Sequence, residues 1–145
     1  MIFFRDGKPF VFEAISTVQY TPLAEWTARG AGGNYVVKRL KRPPTDAQVA
    51  KLRAAARAFE GKTCDLYFEW SDQRIYCSEL VWKIYQQALG VKVGELQELR
   101  EFDLTDAAVR AKMRERYGRQ VPLDEPVISP GAQFASPLLK TVETR

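Results

Sequence analysis

Tyr76-Cys77-Ser78-Glu79-Leu80-Val81-Trp82-Lys83 is the stretch on which the reading of this chain turns. From Cys77 to Leu89 the apolar residues Val81, Ile84, Tyr85 and Ala88 recur at helical spacing on the face that carries Cys77, and Gly90 supplies a stop. The pattern predicts a helix that opens on a thiol, with Cys77 at the N-terminal end of a buried stripe. A thiol there lies near the positive end of the helix dipole and near backbone N–H groups that have no partner within the helix. Both favour the thiolate, and the same N–H groups can take the charge of an oxyanion formed at a carbonyl under attack. Position alone leaves a second reading open, a cysteine that packs as a small apolar side chain. Against the nucleophile stands a gap in composition. The 145 residues include no histidine, the usual proton acceptor for a catalytic thiol.

Upstream of this helix, the aromatic segment Asp65 to Asp72 has no helical period and reads as a loop or a short extended piece. Asp65 and Asp72 flank Trp70, where they either line a cleft or accept hydrogen bonds within the loop. Cys64 has no helix start in its favour and reads as packing. Pro43-Pro44 is a linker, and Thr45 with Gln48 forms a capping box that opens a long helix. Val49, Leu52, Ala56 and Phe59 fall on one face of that helix, and Gly61 is placed to cap its end.

Further back, Asn34 to Leu40 alternates as a strand. Thr21-Pro22-Leu23-Ala24-Glu25-Trp26 reads as a helix start with Thr21 as N-cap and Pro22 at the first position, ended by Gly30, Gly32 and Gly33. Met1 to Arg5 and Pro9 to Ile15 are β-prone runs joined by Asp6-Gly7-Lys8, a hairpin signal. Glu13 shares a strand face with Val11 and Ile15, so a carboxylate interrupts an apolar face. It either needs a partner, such as a catalytic imidazole to orient, or sits on an edge strand and reaches water. Downstream, Thr105 to Tyr117 is a polar helix closed by Gly118. Residues 121–145, with Pro122, Pro126, Pro130 and Pro137, read mostly as loop, and Ser129-Pro130 as a turn.

Composition bounds the rest. At this length, with 46% hydrophobic and 12% aromatic residues, the chain is a single globular domain with a respectable core. Its 22 basic and 18 acidic side chains leave a net charge of +4. The clusters Lys38-Arg39-Lys41-Arg42 and Lys112-Arg114-Arg116-Arg119 lack the aromatic spacing of an RNA-binding motif and read as a solvated basic face, so no nucleic-acid partner is expected. Two cysteines cannot build a disulfide framework, although one bridge between Cys64 and Cys77 stays open and with it the redox compartment; there is no metal-ligand set and no phosphate-binding glycine loop. No metal or cofactor is expected. No apolar run reaches membrane-spanning length, and Met1-Ile2-Phe3-Phe4-Arg5 is too short for a signal peptide.

Several stretches taken together resemble the YiiX/YebB-type proteins, permuted papain-fold members of the NlpC-like cysteine hydrolases. They are Lys8-Pro9-Phe10-Val11-Phe12-Glu13-Ala14, Tyr20-Thr21-Pro22-Leu23 with Trp26, Trp70-Ser71-Asp72 and Tyr76 to Lys83; Glu101-Phe102-Asp103-Leu104 and Ile128-Ser129-Pro130 also match. The resemblance runs over nearly the whole chain in unbroken order. It implies an α+β fold, a small antiparallel sheet packed on the cysteine-bearing helix with peripheral helices. It implies Cys77 as nucleophile and Glu13 as the residue that orients the base, with Tyr76, Ser78 and Asp72 as oxyanion or cleft candidates. The activity implied is hydrolysis of an amide or ester, such as a cell-wall peptide, through an acyl-enzyme.

In that family the histidine belongs to a His-x-Gly element that precedes the hairpin, which would fall a few positions before Met1. The chain is therefore expected to be an N-terminally truncated member, nearly inactive as it stands, with an open sheet edge through which two copies could pair. A signal peptide in the missing part would place it in the periplasm or cell envelope; otherwise it would be cytoplasmic. The rival expectation is a non-catalytic shell that holds a peptide or an acyl chain.

Overall fold

The computed structural model describes residues 1–145. Ile2–Arg5 (β1) and Lys8–Ala14 (β2) form the predicted hairpin. Its turn is made by Asp6 and Gly7, both at positive φ (49° and 75°), the conformation an Asp-Gly pair favours between two strands. A third strand, Val18–Pro22 (β3), completes a sheet of order β1-β2-β3, antiparallel throughout, with Glu13 opposite Gln19 and Val11 opposite Thr21. β2 is therefore the central strand, and the edge-strand alternative for Glu13 is overturned.

The same strand corrects the expectation for Thr21. Its ladder partner is Val11, so Thr21 is still strand when it was expected to cap a helix; the helix Leu23–Ala28 (α1) starts after Pro22 without a side-chain cap. Val18-Gln19-Tyr20 has the β-branched and aromatic character of a strand, and pairing with β2 outweighs the local Thr-Pro signal. A short 3-10 turn over Ala31–Gly33 follows.

Asp46–Arg57 (α2) carries the expected capping box: the Thr45 hydroxyl accepts from the Gln48 N–H at 3.3 Å, and the Gln48 side chain accepts from the Thr45 N–H at 3.0 Å. It ends at Arg57, before Gly61. Gly61 instead donates its N–H to the Val18 carbonyl, so it ties the chain to β3 and does not cap the helix.

Cys77–Leu89 (α3) ends on Gly90 in the left-handed conformation, as expected. Leu52 and Ala56 of α2 and Leu80 and Ile84 of α3 pack with Phe3, Phe12, Ala14 and Val18 of the sheet into the main core. The buried face of α3 runs through Leu80 and Ile84, and Cys77 is exposed beside it rather than inside it. α3 also buries Glu79 and Lys83, two charged side chains outside the expected stripe.

Residues 121–145 are more ordered than their prolines suggest. Leu139–Thr144 (β9) pairs antiparallel with Val36–Leu40 (β4), so the strand expected near Asn34 joins the C-terminal segment and not the hairpin sheet. Pro130–Phe134 (α5) is capped by the Ser129 hydroxyl, which accepts from the Ala132 N–H at 3.0 Å. Thr63–Cys64 (β5) and Arg74–Ile75 (β6) pair in parallel beneath the start of α3. Gln97–Glu98 (β7) and Pro126–Val127 (β8) form the last pair. Ala107–Tyr117 (α4), capped by Asp106 two residues later than the expected start, lies on the outside. A second core of Tyr76, Trp82, Leu99, Val127 and Ile128 ties α3 to this layer. No helix is long and apolar enough to cross a membrane.

Candidate active site

Cys77 owes its place to a change of backbone at Tyr76. Tyr76 is extended (φ −93°, ψ 163°), while its carbonyl already accepts the first helical bond from the Leu80 N–H at 2.9 Å. Cys77 is thus the first helical residue, with its own N–H and those of Ser78 and Glu79 unpaired by the helix. The thiol is exposed, and the Ala14 N–H donates to its sulphur at 3.4 Å. That contact joins the helix start to the end of β2.

Glu13 precedes Ala14 and is buried. Its carboxylate is paired with the Arg29 guanidinium just past α1, whose side chain is about half-exposed. Glu13 and Arg29, with Trp26, Thr27, Gly30 and Asn34, line a cleft of about 250 Å³. A larger concavity of about 390 Å³ lies further along α3 between Trp70, Asp72, Lys83 and Gln86; neither Cys77 nor Glu13 lines it. The start of β1 adjoins both candidate residues. The Met1 ammonium donates to the Phe12 carbonyl at 2.9 Å; burial lowers its pKa, while the charges of Cys77 and Glu13 push it up.

The other expected site residues go to different places. The Tyr76 phenol turns into the second core, where its oxygen accepts from the Ile128 N–H at 3.1 Å and burial pushes its pKa up, so only its backbone stays beside the thiol. Ser78 is buried, and its carbonyl accepts from the Gln133 amide at 2.7 Å. Asp72 is held by Lys83 at 2.7 Å, and that bond keeps its carboxyl below the usual range. Asp65 is fully structural: its two oxygens accept from the Tyr67 and Glu69 N–H groups at 2.8 and 2.6 Å and fix the loop after β5.

Beneath the thiol, Glu79 accepts from the Tyr76 N–H at 3.3 Å. Its other oxygen stands 2.8 Å from the Lys83 ammonium, an ion pair without hydrogen-bond alignment. Lys83 also donates to the Ser71 carbonyl at 2.7 Å and lies over the Trp70 ring. Sequence reasoning did not single out Arg29, Glu79 or Lys83. The Glu79–Lys83 pair has a signal, its spacing of one helical turn; Arg29 has none, because only the fold brings it to Glu13.

A thiol at the first turn of a helix, packed on an antiparallel sheet with a buried carboxylate one residue from the contact, is the layout of a papain-like hydrolase with its strands in permuted order. A family model described as "permuted papain-like amidase enzyme, YaeF/YiiX" matches residues 1–143. This chain belongs to that family, and its α+β architecture is the permuted papain-like fold. The protein YiiX of Escherichia coli is 51% identical over 142 residues, which cover 98% of this chain and 70% of YiiX. A crystal structure of YiiX from the same species, described as a metalloprotein, matches with a TM-score of 0.97 at 50% identity; the match covers 100% of this chain and 81% of that one.

The side chains of this chain do not reproduce a site for the metal named for that relative. No group of three or more His, Cys, Asp or Glu residues is placed to hold an ion. Arg29 takes one oxygen of the Glu13 carboxylate, and both oxygens of Asp65 are held by the backbone of its own loop. The residues present do not fit a metal centre.

Proposed function

We propose that this domain is an amidase of the thiol type, with Cys77 as nucleophile. The observation that carries the reading is the exposed thiol at the first position of α3, held by the Ala14 N–H next to buried Glu13. The thiolate attacks the carbonyl carbon of an amide or ester, a peptide bond being the expected substrate. The C–S bond forms as the carbonyl π pair moves to oxygen. The N–H groups of Cys77 and Ser78 face the developing oxyanion from the helix start. Collapse expels the amine, which needs a proton, and water then releases the acyl group.

The group that shuttles this proton is the open place in the site. There is no imidazole in these 145 residues. Glu13 fits the role of orienting one, because it is buried and one residue from the thiol contact. An imidazole in line with β1, beside Glu13 and Ala14, would reach both Cys77 and Glu13. Met1 lies opposite Phe12, so continuation of the register runs past Glu13 and Ala14. Without such a base, the chain is expected to hydrolyse slowly, by analogy with triads that lose about 10⁴-fold or more when one member is removed.

The test compares amide hydrolysis by this chain with that by a version carrying a short histidine-containing extension before Met1. The extended form should be faster by orders of magnitude, and Cys77→Ala should abolish the gain. Equal rates for both forms, unaffected by Cys77→Ala, would sink the reading. One observation favours the alternative of a non-catalytic shell that holds a peptide or an acyl chain: Arg29 already occupies the Glu13 carboxylate. Binding of peptides or acyl amides without turnover by the extended form would select it.

A further inference from the structure

Cys64 is the other cysteine of the chain, and the hydrolase reading leaves it without a task. It ends β5 opposite Ile75 of β6, just before the residues that start α3. Its sulphur and that of Cys77 meet at one residue. The Ala14 N–H donates to Cys77 Sγ at 3.4 Å, and the Ala14 carbonyl accepts from Cys64 Sγ at 3.7 Å.

In an antiparallel ladder the N–H and C=O of one residue point to the same side of the strand. The partner residue shows which side this is. Val18, opposite Ala14, sends its own N–H to the Lys62 carbonyl and accepts from the Gly61 N–H, so it makes no backbone bond to Ala14. Both Ala14 groups therefore point away from β3, and each meets one of the two sulphur atoms on that side of the strand. Their surroundings differ. Cys77 is exposed, while Cys64 is half-buried, and burial with the nearby charge of Cys77 pushes the Cys64 thiol up.

We propose that Cys64 and Cys77 form a redox pair in which a peroxide oxidises the exposed Cys77 and Cys64 closes an intramolecular disulfide on it. The Cys77 thiolate attacks one peroxide oxygen, the O–O bond breaks, and Cys77 sulfenic acid forms as the other oxygen leaves as water or alcohol. Cys64 sulphur then attacks Cys77 Sγ. The S–S bond forms, the S–O bond breaks, and the Cys64 proton leaves with the hydroxyl as water. Two electrons pass from the thiols to the peroxide. The bridge keeps Cys77 from the irreversible sulfinic acid, and an external dithiol returns both thiols. None of these steps needs the chain to hydrolyse anything.

The reduced full chain, treated with hydrogen peroxide and read by intact mass and peptide mapping, tests the pair. The expected product is lighter by about 2 Da, carries a Cys64–Cys77 linked peptide and reverts with dithiothreitol. Cys64→Ala should instead gain about 32 Da at Cys77, and dithiothreitol should not reverse it. Sulfinic acid at Cys77 as the main product of the unaltered chain, a bridge only between two chains, or no reaction would each overturn the proposal. The mass and linkage of the unaltered chain decide between these outcomes without any variant, so a folding defect in Cys64→Ala does not affect them.

Discussion

The Lys83 ammonium lies 2.8 Å from the Glu79 carboxylate one helical turn earlier, and the two buried charges join α3 to the Ser71–Asp72 loop. Removal of the cation leaves the carboxylate without its partner in the interior. Lys83→Met should therefore destabilise the fold by about 3 kcal/mol at pH 8, in the range for breaking a buried pair from one side. Burial pushes Glu79 up to about 7, the Lys83 charge opposing. Below that pH Glu79 can take up a proton, so the loss should shrink toward pH 6. Chemical denaturation at the two pH values measures both effects; an equal loss at each would remove Glu79 from the explanation.

The same carboxyl sets a slope in the parent chain. Its folded pKa lies above the unfolded value near 4.5, so the folded state holds the proton more tightly. The contribution of Glu79 is fully present below the unfolded pKa and is lost as pH rises from about 4.5 to about 7. Glu79→Gln should flatten the unfolding midpoint over that window. A slope unchanged by the substitution would contradict the assignment.

Glu13 depends on Arg29 in a similar way, with the cation at the surface and the carboxylate inside. Arg29→Met should lower stability by about 2 kcal/mol, the scale for a buried acceptor left without its donor. A shift in the denaturant midpoint at constant slope would record it. A change below about 0.5 kcal/mol would mean that water replaces Arg29 at no cost.

The two thiols should separate by reactivity. Cys77 is exposed, whereas Cys64 is half-buried and its thiol is pushed up. Iodoacetamide at neutral pH should label Cys77 at least about tenfold faster, read by peptide mapping. Equal labelling would contradict the difference in environment.

Gly94 tests the packing behind the helix. It has φ +90°, and a Cβ there would stand 2.9 Å from Ile128 Cδ1 and 3.0 Å from the Ala132 backbone. Its carbonyl also accepts from the Trp82 indole at 3.1 Å. Gly94→Ala should cost about 3 kcal/mol from strain and overlap combined. A thermal melt within a degree of the parent would refute the close approach.

Local chemistry made much of the frame legible. Asp6-Gly7 predicts the hairpin turn because few residues tolerate positive φ there. Thr45 with Gln48 predicts the start of α2, and Gly90 the end of α3, through bonds made within a few residues. The Cys77 helix follows from apolar spacing alone. The failures are non-local. Nothing within Val36 to Leu40 or Leu139 to Thr144 announces that the two segments pair, because the bonding partners of each lie about a hundred residues away. Thr21 carries a cap signal, yet its ladder with Val11 holds it in a strand.

The site divides along the same line. By itself the sequence determined that a thiol opens a helix, that a glutamate interrupts an apolar strand, and that no histidine is present, since these depend on residue type and short spacing. The resemblance of the motifs, in order, carried the family. Only the tertiary structure decided that Ala14 joins β2 to both sulphur atoms, that Arg29 takes the Glu13 carboxylate, and that Cys77 faces solvent beside the buried stripe. Each of those is a contact between segments far apart in sequence, formed because the sheet, α2 and α3 bury one shared core. The opening octapeptide supplied the thiol; packing supplied its surroundings.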